Sequence, residues 1–435
     1  MTEVHEPLMT RLPNGLRVMS LRLPGASTVG AVLSVNAGGA DEPDAICGVS
    51  HFLEHLVFRA TETYQNSAAV GAAIEGVGGY FNAFTSKTVT AYLAAAPLDH
   101  VDLAASIPLE LATRPLLRED DINDERPVVL REISLYDDRA SSRAMQSLQN
   151  LVWKGSGYAR PILGFPETLA ACTEQTVRAY WRQHYRPDQA VFVVAGDVEH
   201  RAIHALAERL VGTWNGMAPA FSEAPDQEDR AAPLQQHNGQ VHVESMDRQR
   251  VELWLGVRTP NFVTANRAEL EALSALAGGG KGSRLTRVLI QEQGLLLSAG
   301  AFSWLHRTDS MFAIAASAEP AKGVEAAHAV VREVLSLKDA TDAECDRAIA
   351  FARGEYARSW AEPLDSATRI AEEALWVHDT PSRSADRAAF AALTPDVVRA
   401  AAARFLTADA LRLAVVGPDV QPDQYGDAVA EKVRL

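Results

Sequence analysis

The chain has 435 residues, of which 47% are apolar, and 41 Lys+Arg stand against 56 Asp+Glu for a net charge of −15. That length suggests about two to four domains with large cores, and the acidic balance argues against a nucleic-acid partner and favours neutral or basic ligands. No apolar run approaches the ~18 residues of a membrane span, and Cys47, Cys172 and Cys345, odd in number and far apart, make neither a disulfide framework nor a zinc ribbon.

The opening "MTEVHEPLMTRLPNG" lacks the charged-then-apolar pattern of a signal peptide. With three scattered thiols, this gives a reducing, cytoplasmic setting as the expectation, or a periplasmic one if a leader precedes the chain.

In chain order, "GLRVMSLRL" and "STVGAVLSVNAG" read as strands, followed by a helix in "GVSHFLEHLVFRAT". There Val49, Phe52, Leu53, Leu56 and Val57 follow the spacing of an amphipathic helix. His51, Glu54, His55 and Phe58 fall on the opposite side. Two imidazoles one turn apart with a carboxylate beside them fit the reach that zinc requires. A solvated polar face is the alternative.

Next come a helix in "SAAVGAAIEGVG", one long alternating strand in "YFNAFTSKTVTAYLAAA", and helices from "LDHVDLAASIPLELAT" onward. This order suggests an α+β fold, with helices packed on one face of a mainly antiparallel sheet.

Two His are too few for catalytic zinc, which takes three protein ligands plus water. A third is sought in "DDINDERPVVLREISLYDD", where Glu132 shares an amphipathic segment with Val128, Val129, Ile133 and Leu135. Glu125 lies two helical turns earlier. Spacing alone does not single out Glu132 from so many acids.

The chain repeats itself. Residues 173–197, "TEQTVRAYWRQHYRPDQAVFVVAGD", align without a gap on residues 394–418, "TPDVVRAAAARFLTADALRLAVVGP", at an offset of 221. Each is a Thr-capped helix, a turn, then an apolar strand ending in Gly. The same offset carries Ser50–His55 onto "EALSAL", where the helix pattern survives and the ligands do not. Two homologous lobes follow: 1–220 with the metal ligands, a linker at 221–238 rich in Pro, Ala, Gln and acid, and 239–435 without ligands. A cleft between the lobes is the natural place for a site.

Taken together, "LPNGLRV", "GVSHFLEHLVFRAT", "GGYFNAFTSKTVTAY", "ERPVVLREI", "ARPILGFPETL" and "GGGKGSRL" resemble the signatures of the inverzincin metallopeptidases. This is the family of pitrilysin, insulysin and the mitochondrial processing peptidase, and the resemblance covers most of the chain. Arg59 and Ala60 stand where Lys-Gly is usual. The family's third ligand follows its second His by about the 77 residues that separate Glu132 from His55.

The resemblance implies one Zn²⁺ per chain, held by His51, His55 and Glu132, with Glu54 as general base. Glu125 matches the family's second glutamate, which assists from outside the ligand set, although Pro127 removes a backbone donor nearby. Asn82 and Ala83 match the strand to which an extended peptide substrate adds.

Active family members carry an Arg and a Tyr just after the "SRL" segment, at positions that here are Ile290 and Leu297. No Tyr occurs between Tyr185 and Tyr356, so realignment does not restore the pair. "GGGKGSRL" also fails as a phosphate loop, since Ala275 and Gly282 stand where Gly and Ser/Thr are needed. It reads as a tight helix–loop joint.

The implied function is the zinc-bearing subunit of a heterodimeric endopeptidase. A homologous partner would supply the Arg/Tyr pair, each chain forming half of a clamshell around a peptide or unfolded segment. A self-sufficient homodimeric peptidase and a non-catalytic assembly subunit are the alternatives.

Overall fold

The structure, a computed structural model, describes residues 5–215, 240–263 and 266–430. The linker expected at 221–238 lies outside the described residues.

The first half contains β1 (Leu8–Arg11), β2 (Arg17–Arg22), β3 (Thr28–Val35), α1 (Val49–Val57), α2 (Ser67–Glu75), β4 (Tyr80–Thr85) and β5 (Thr90–Pro97). It continues with α3 (Val101–Thr113), α4 (Glu119–Asp137), α5 (Ala140–Val152), α6 (Pro166–Ala170), α7 (Glu174–His184), β6 (Ala190–Gly196) and α8 (His200–Val211). The second half contains β7 (Val241–Ser245), β8 (Val251–Thr259), α9 (Arg267–Gly278), β9 (Ser298–Trp304) and β10 (Ser310–Ala318). After these come α10 (Gly323–Leu335), α11 (Asp342–Arg358), α12 (Pro363–Val377), α13 (Arg383–Ala391), α14 (Pro395–Phe405) and β11 (Arg412–Gly417).

Two sheets result, with strand orders β1-β2-β6-β3-β5-β4 and β7-β11-β8-β10-β9. Without β1 the first order maps onto the second strand for strand. Each sheet has one parallel pair, β2 with β6 and β7 with β11, and is otherwise antiparallel. The fold is α+β, and the repeat at offset 221 has a structural counterpart. Helices α7 and α14 begin at Thr173 and Thr394, whose hydroxyls accept from Thr176 N and Val397 N. The strands β6 and β11 follow them.

The continuous apolar runs of β3 and β6 are explained by cover on both faces. On one face Val29, Ala31, Leu33 and Val35 join a core with Leu53 and Leu56 of α1, Ala104 and Ile107 of α3, and Val177 of α7. This is the helical layer that periodicity anticipates. The other face carries α12, from the other half of the chain. A Cβ at Gly30 would stand 2.4 Å from Leu364 Cα, so only glycine admits the helix this closely. Arg17 of β2 donates to Ala374 O at 2.7 Å across the same contact. Reciprocally, α5 packs on β8 and β11 of the second sheet.

Two compact units follow from this exchange. One holds the described residues of Met1–Ile133, Arg160–Gln227 and Ala357–Ala385, the other those of Ser134–Ala159, Glu228–Tyr356 and Asp386–Leu435. Each takes one segment from the opposite half of the sequence.

Two features differ from the sequence reading. Helices are expected on one face of the sheet, and α12 covers the other face as well, because a helix from the distant half of the chain is not visible to local periodicity. "YFNAFTSKTVTAYLAAA" is not one long strand but the hairpin β4–β5. The alternation continues through the turn, yet Ser86 ends β4: its N–H donates to Val89 O, and its hydroxyl accepts from Val89 N at 3.1 Å. The "GGGKGSRL" segment does form a joint after α9, where the Arg347 guanidinium donates to Ala275 O and Gly279 O. All three cysteines are free and buried. Among the described residues no helix is long and apolar enough to cross a membrane.

Candidate metal centre

Helix α1 buries Val49, Phe52, Leu53, Leu56 and Val57 completely or nearly so, which fixes the direction of its polar face. His51, Glu54 and His55 project from that face. Helix α4 runs unbroken through Pro127 and brings Glu125 and Glu132 alongside. Strand β4 approaches from the other side, and Phe58 and Phe81 pack with ring centroids 5.7 Å apart.

His51 Nε2 lies 3.8 Å and His55 Nε2 3.4 Å from the Glu132 carboxylate. One ligand atom from each of the three residues falls within 4.8 Å of the others. Two zinc bonds of about 2.0–2.1 Å at a tetrahedral angle hold their ligand atoms roughly 3.3 Å apart. The N,N,O donor set is one that zinc takes, and the two His–Glu132 gaps lie within about 0.5 Å of that spacing.

The two imidazoles are held differently. His55 Nδ1 pairs with Glu125 Oε1 at 2.9 Å, and Glu125 Oε2 in turn accepts from Arg59 at 3.3 Å. Arg59 also reaches Asp124 at 3.2 Å. This chain orients the His55 ring and leaves Nε2 facing Glu132. His51 Nδ1 is buried and, among the described residues, has no hydrogen-bond partner. Packing alone orients that ring.

Electrostatics follow the same asymmetry. Burial, reinforced by the neighbouring His55, pushes His51 down to about 4. Burial also opposes charge on His55, but hydrogen bonds to Glu125 and Glu132 outweigh it and push that ring up to about 9. The His55 hydrogen bond draws Glu132 below the usual carboxylate range. Burial raises the Glu54 carboxyl, against a 2.6 Å hydrogen bond from the Thr85 hydroxyl to Oε2.

Asn82 is exposed on β4, the edge strand of its sheet. Its amide donates to the Tyr80 hydroxyl at 2.6 Å, and its Oδ1 accepts from Ala83 N at 2.9 Å. Ile290 lies in a π-helical stretch, Thr286–Glu292, and Leu297 is exposed just before β9. On α9 the counterparts of His51, Glu54 and His55 are Ala272, Ala275 and Leu276, all buried.

Sequence reasoning did not assign Thr85 or Arg59 a part in this arrangement. Thr85 stands inside the quoted strand segment, and Arg59 was visible only as a departure from Lys.

Comparison with known proteins decides the family. Residues 17–165 match the model described as insulinase (peptidase family M16), and residues 171–351 match the one described as peptidase M16 inactive domain. The chain belongs to the M16 peptidase family. A zinc protease of Streptomyces coelicolor is 28% identical over 97% of this chain and 92% of its own length. A Bacillus subtilis zinc protease is 27% identical over 69% of this chain and 71% of its own. A Helicobacter pylori protease of known structure superposes with a TM-score of 0.86 at 21% identity, over 95% of this chain and 100% of that one, a likeness of fold. An M16 inactive domain from Pseudomonas fluorescens superposes at 0.82 with 17% identity, over 95% of this chain and 98% of that one. Membership of the M16 family, with relatives named zinc proteases, supports a metallopeptidase.

Proposed function

We propose that this M16 chain is the zinc-bearing subunit of an endopeptidase that acts on peptides or unfolded segments. The observation that carries the reading is the convergence of His51, His55 and Glu132, with Glu54 one turn from His51 on the same helix face.

His51, His55 and Glu132 would hold one zinc per chain. Zinc there supplies Lewis acidity, lowering the pKa of water and polarising a peptide carbonyl. Glu54 serves as general base: Thr85 occupies Oε2 and leaves Oε1 to take the proton. Glu125 keeps a proton on His55 Nδ1 and so fixes the tautomer that presents Nε2. The edge strand β4, with Asn82 and Ala83, offers main-chain groups to an extended peptide with little demand on its sequence. The Thr85–Glu54 hydrogen bond ties that edge to the base.

Ile290 and Leu297 cannot donate hydrogen bonds to a substrate carbonyl. A homologous partner chain with an Arg/Tyr pair would supply them. Loss of such donors costs about 10²–10³-fold in rate. The test is hydrolysis of a flexible peptide by the zinc-loaded chain alone and with the partner. Near-inactivity alone and recovery at one-to-one stoichiometry are expected. A partner-free sample, checked by mass spectrometry, that is as fast as the complex would leave the self-sufficient homodimer. A second reading, a non-catalytic assembly subunit, has in its support the match of residues 171–351 to the model described as peptidase M16 inactive domain. Absence of tight zinc from the purified chain would select it.

A further inference from the structure

We propose that Glu42 is a positioning residue of the metal centre, its buried carboxylate fixing the first turn of α1 and thereby the placement of His51, Glu54 and His55. The proposal rests on the ligand assignment made above.

Glu42 is 3% exposed and lies in the loop before α1. Its Oε2 accepts from Gly48 N at 2.6 Å and its Oε1 from Ser50 N at 2.8 Å. These are amides that a helix leaves without internal partners at its start. The helix has no other provision for them. Its N-cap is Gly48, which has no side chain to offer, and no acidic residue stands in its first turn. An acid from outside the helix therefore does the capping, with the charge that a helix N-terminus favours. Ser50 directly precedes His51, and Glu54 and His55 follow within about one further turn. Whatever holds the Ser50 amide holds the metal face.

The surroundings also hold the backbone that the carboxylate binds. Gly48 has φ +94°, and a Cβ there would stand 2.5 Å from Leu163 O. Thr168 donates its hydroxyl to Cys47 O at 2.6 Å. The segment "ARPILGFPETL" is thus the seat on which the start of α1 rests. Arg160, the second residue of that segment, donates to Ala40 O at 2.9 Å and bonds Asp44. The buried Lys87, in the β4–β5 turn, donates to Arg160 O at 2.5 Å. That turn immediately follows Thr85, the partner of Glu54. The same cluster therefore borders both elements that set the base, α1 and the end of β4. A displacement of about 1 Å in such a constellation can cost 10²-fold in rate.

Glu42→Gln keeps the volume but turns one acceptor into an amide donor facing a backbone N–H. Burial pushes the Glu42 carboxyl up to about 7, so assays are run well above that pH. The expected result is a folded protein by circular dichroism whose zinc affinity, by chelator competition, falls about 10–100-fold. The visible bands of its Co²⁺-substituted form, which report ligand geometry, should also shift. If Glu42→Gln is not recovered folded, Glu42→Asp takes its place with the same two readouts. It keeps the charge and both acceptor oxygens but reaches one methylene less far. A folded variant with wild-type zinc affinity and wild-type Co²⁺ bands overturns the proposal, however far its melting temperature drops. Wild-type protein and His55→Ala are measured alongside. Wild type without tight zinc overturns the ligand assignment, and this role with it. Wild type with tight zinc and unaffected Glu42 variants overturns this proposal alone.

Discussion

The hydroxyl of Thr85 donates to Oε2 of Glu54 at 2.6 Å, joining the end of an edge strand to the helix that carries His51 and His55. Burial raises the Glu54 carboxyl, and this bond opposes the rise. Thr85→Val keeps the shape and removes the donor, so the carboxyl should rise further. A base must be ionised to act, so activity should then be gained only at higher pH. The acid limb of the kcat–pH profile is expected to move upward, with a rate loss of about tenfold at neutral pH, at the low end for a hydrogen bond to a charged group. An unmoved limb would show that Thr85 does not engage the base during turnover.

Glu54→Gln is isosteric and removes the proton acceptor without touching the ligand set. The reconstituted enzyme should keep its zinc and lose about 10²–10⁴-fold in kcat. Elemental analysis and peptide hydrolysis on one preparation check both halves of this expectation.

The relay from Arg59 through Glu125 to His55 predicts an order of effects. Glu125→Gln disturbs the group that touches His55 and should weaken zinc binding about 10–100-fold. Arg59→Ala leaves Glu125 in place but less firmly held, and should weaken binding less. Chelator competition on both variants tests the ranking, and an inverted order would break the relay.

In the second unit, Glu344 and Thr341 form a capping box at the start of α11. The Arg284 fork binds the same carboxylate at 2.7 and 2.9 Å. Burial alone would raise this carboxyl, but the Arg284 and Thr341 bonds outweigh it and draw it down from 4.5 to about 2. A carboxyl depressed on folding stabilises above its unfolded value and loses that contribution as pH falls through its folded one. Wild type should therefore lose stability between about pH 4.5 and about pH 2 in part through this group. Glu344→Gln should melt lower at neutral pH and converge with wild type near the acid end. Parallel Tm–pH curves for the two proteins would remove Glu344 from the acid response.

What the sequence disclosed depended on how local the physics was. The two faces of α1 follow from 3.6-residue periodicity, and the Thr-capped helices with their strands were visible in both copies of the repeat. The turn at Ser86 was hidden because its residues continue the alternation of β4 and β5. Periodicity also says which side of α5 or α12 is apolar but not which sheet that side meets, so the exchange of these helices could not be read. Glu42 was equally silent. It is an acid in a loop, and only the folded chain brings its oxygens to the amides of Gly48 and Ser50.

The exchanged helices bear on what happens when the chain is cut. Severing it anywhere in 216–239 would leave an N-terminal fragment whose sheet lacks α12, and a C-terminal fragment whose sheet lacks α5. Each fragment would expose an apolar sheet face and carry a helix that only the other can use. Neither piece should therefore fold as a module by itself. Mixed, they would be obligate complements, and a nicked chain should stay whole until it is denatured.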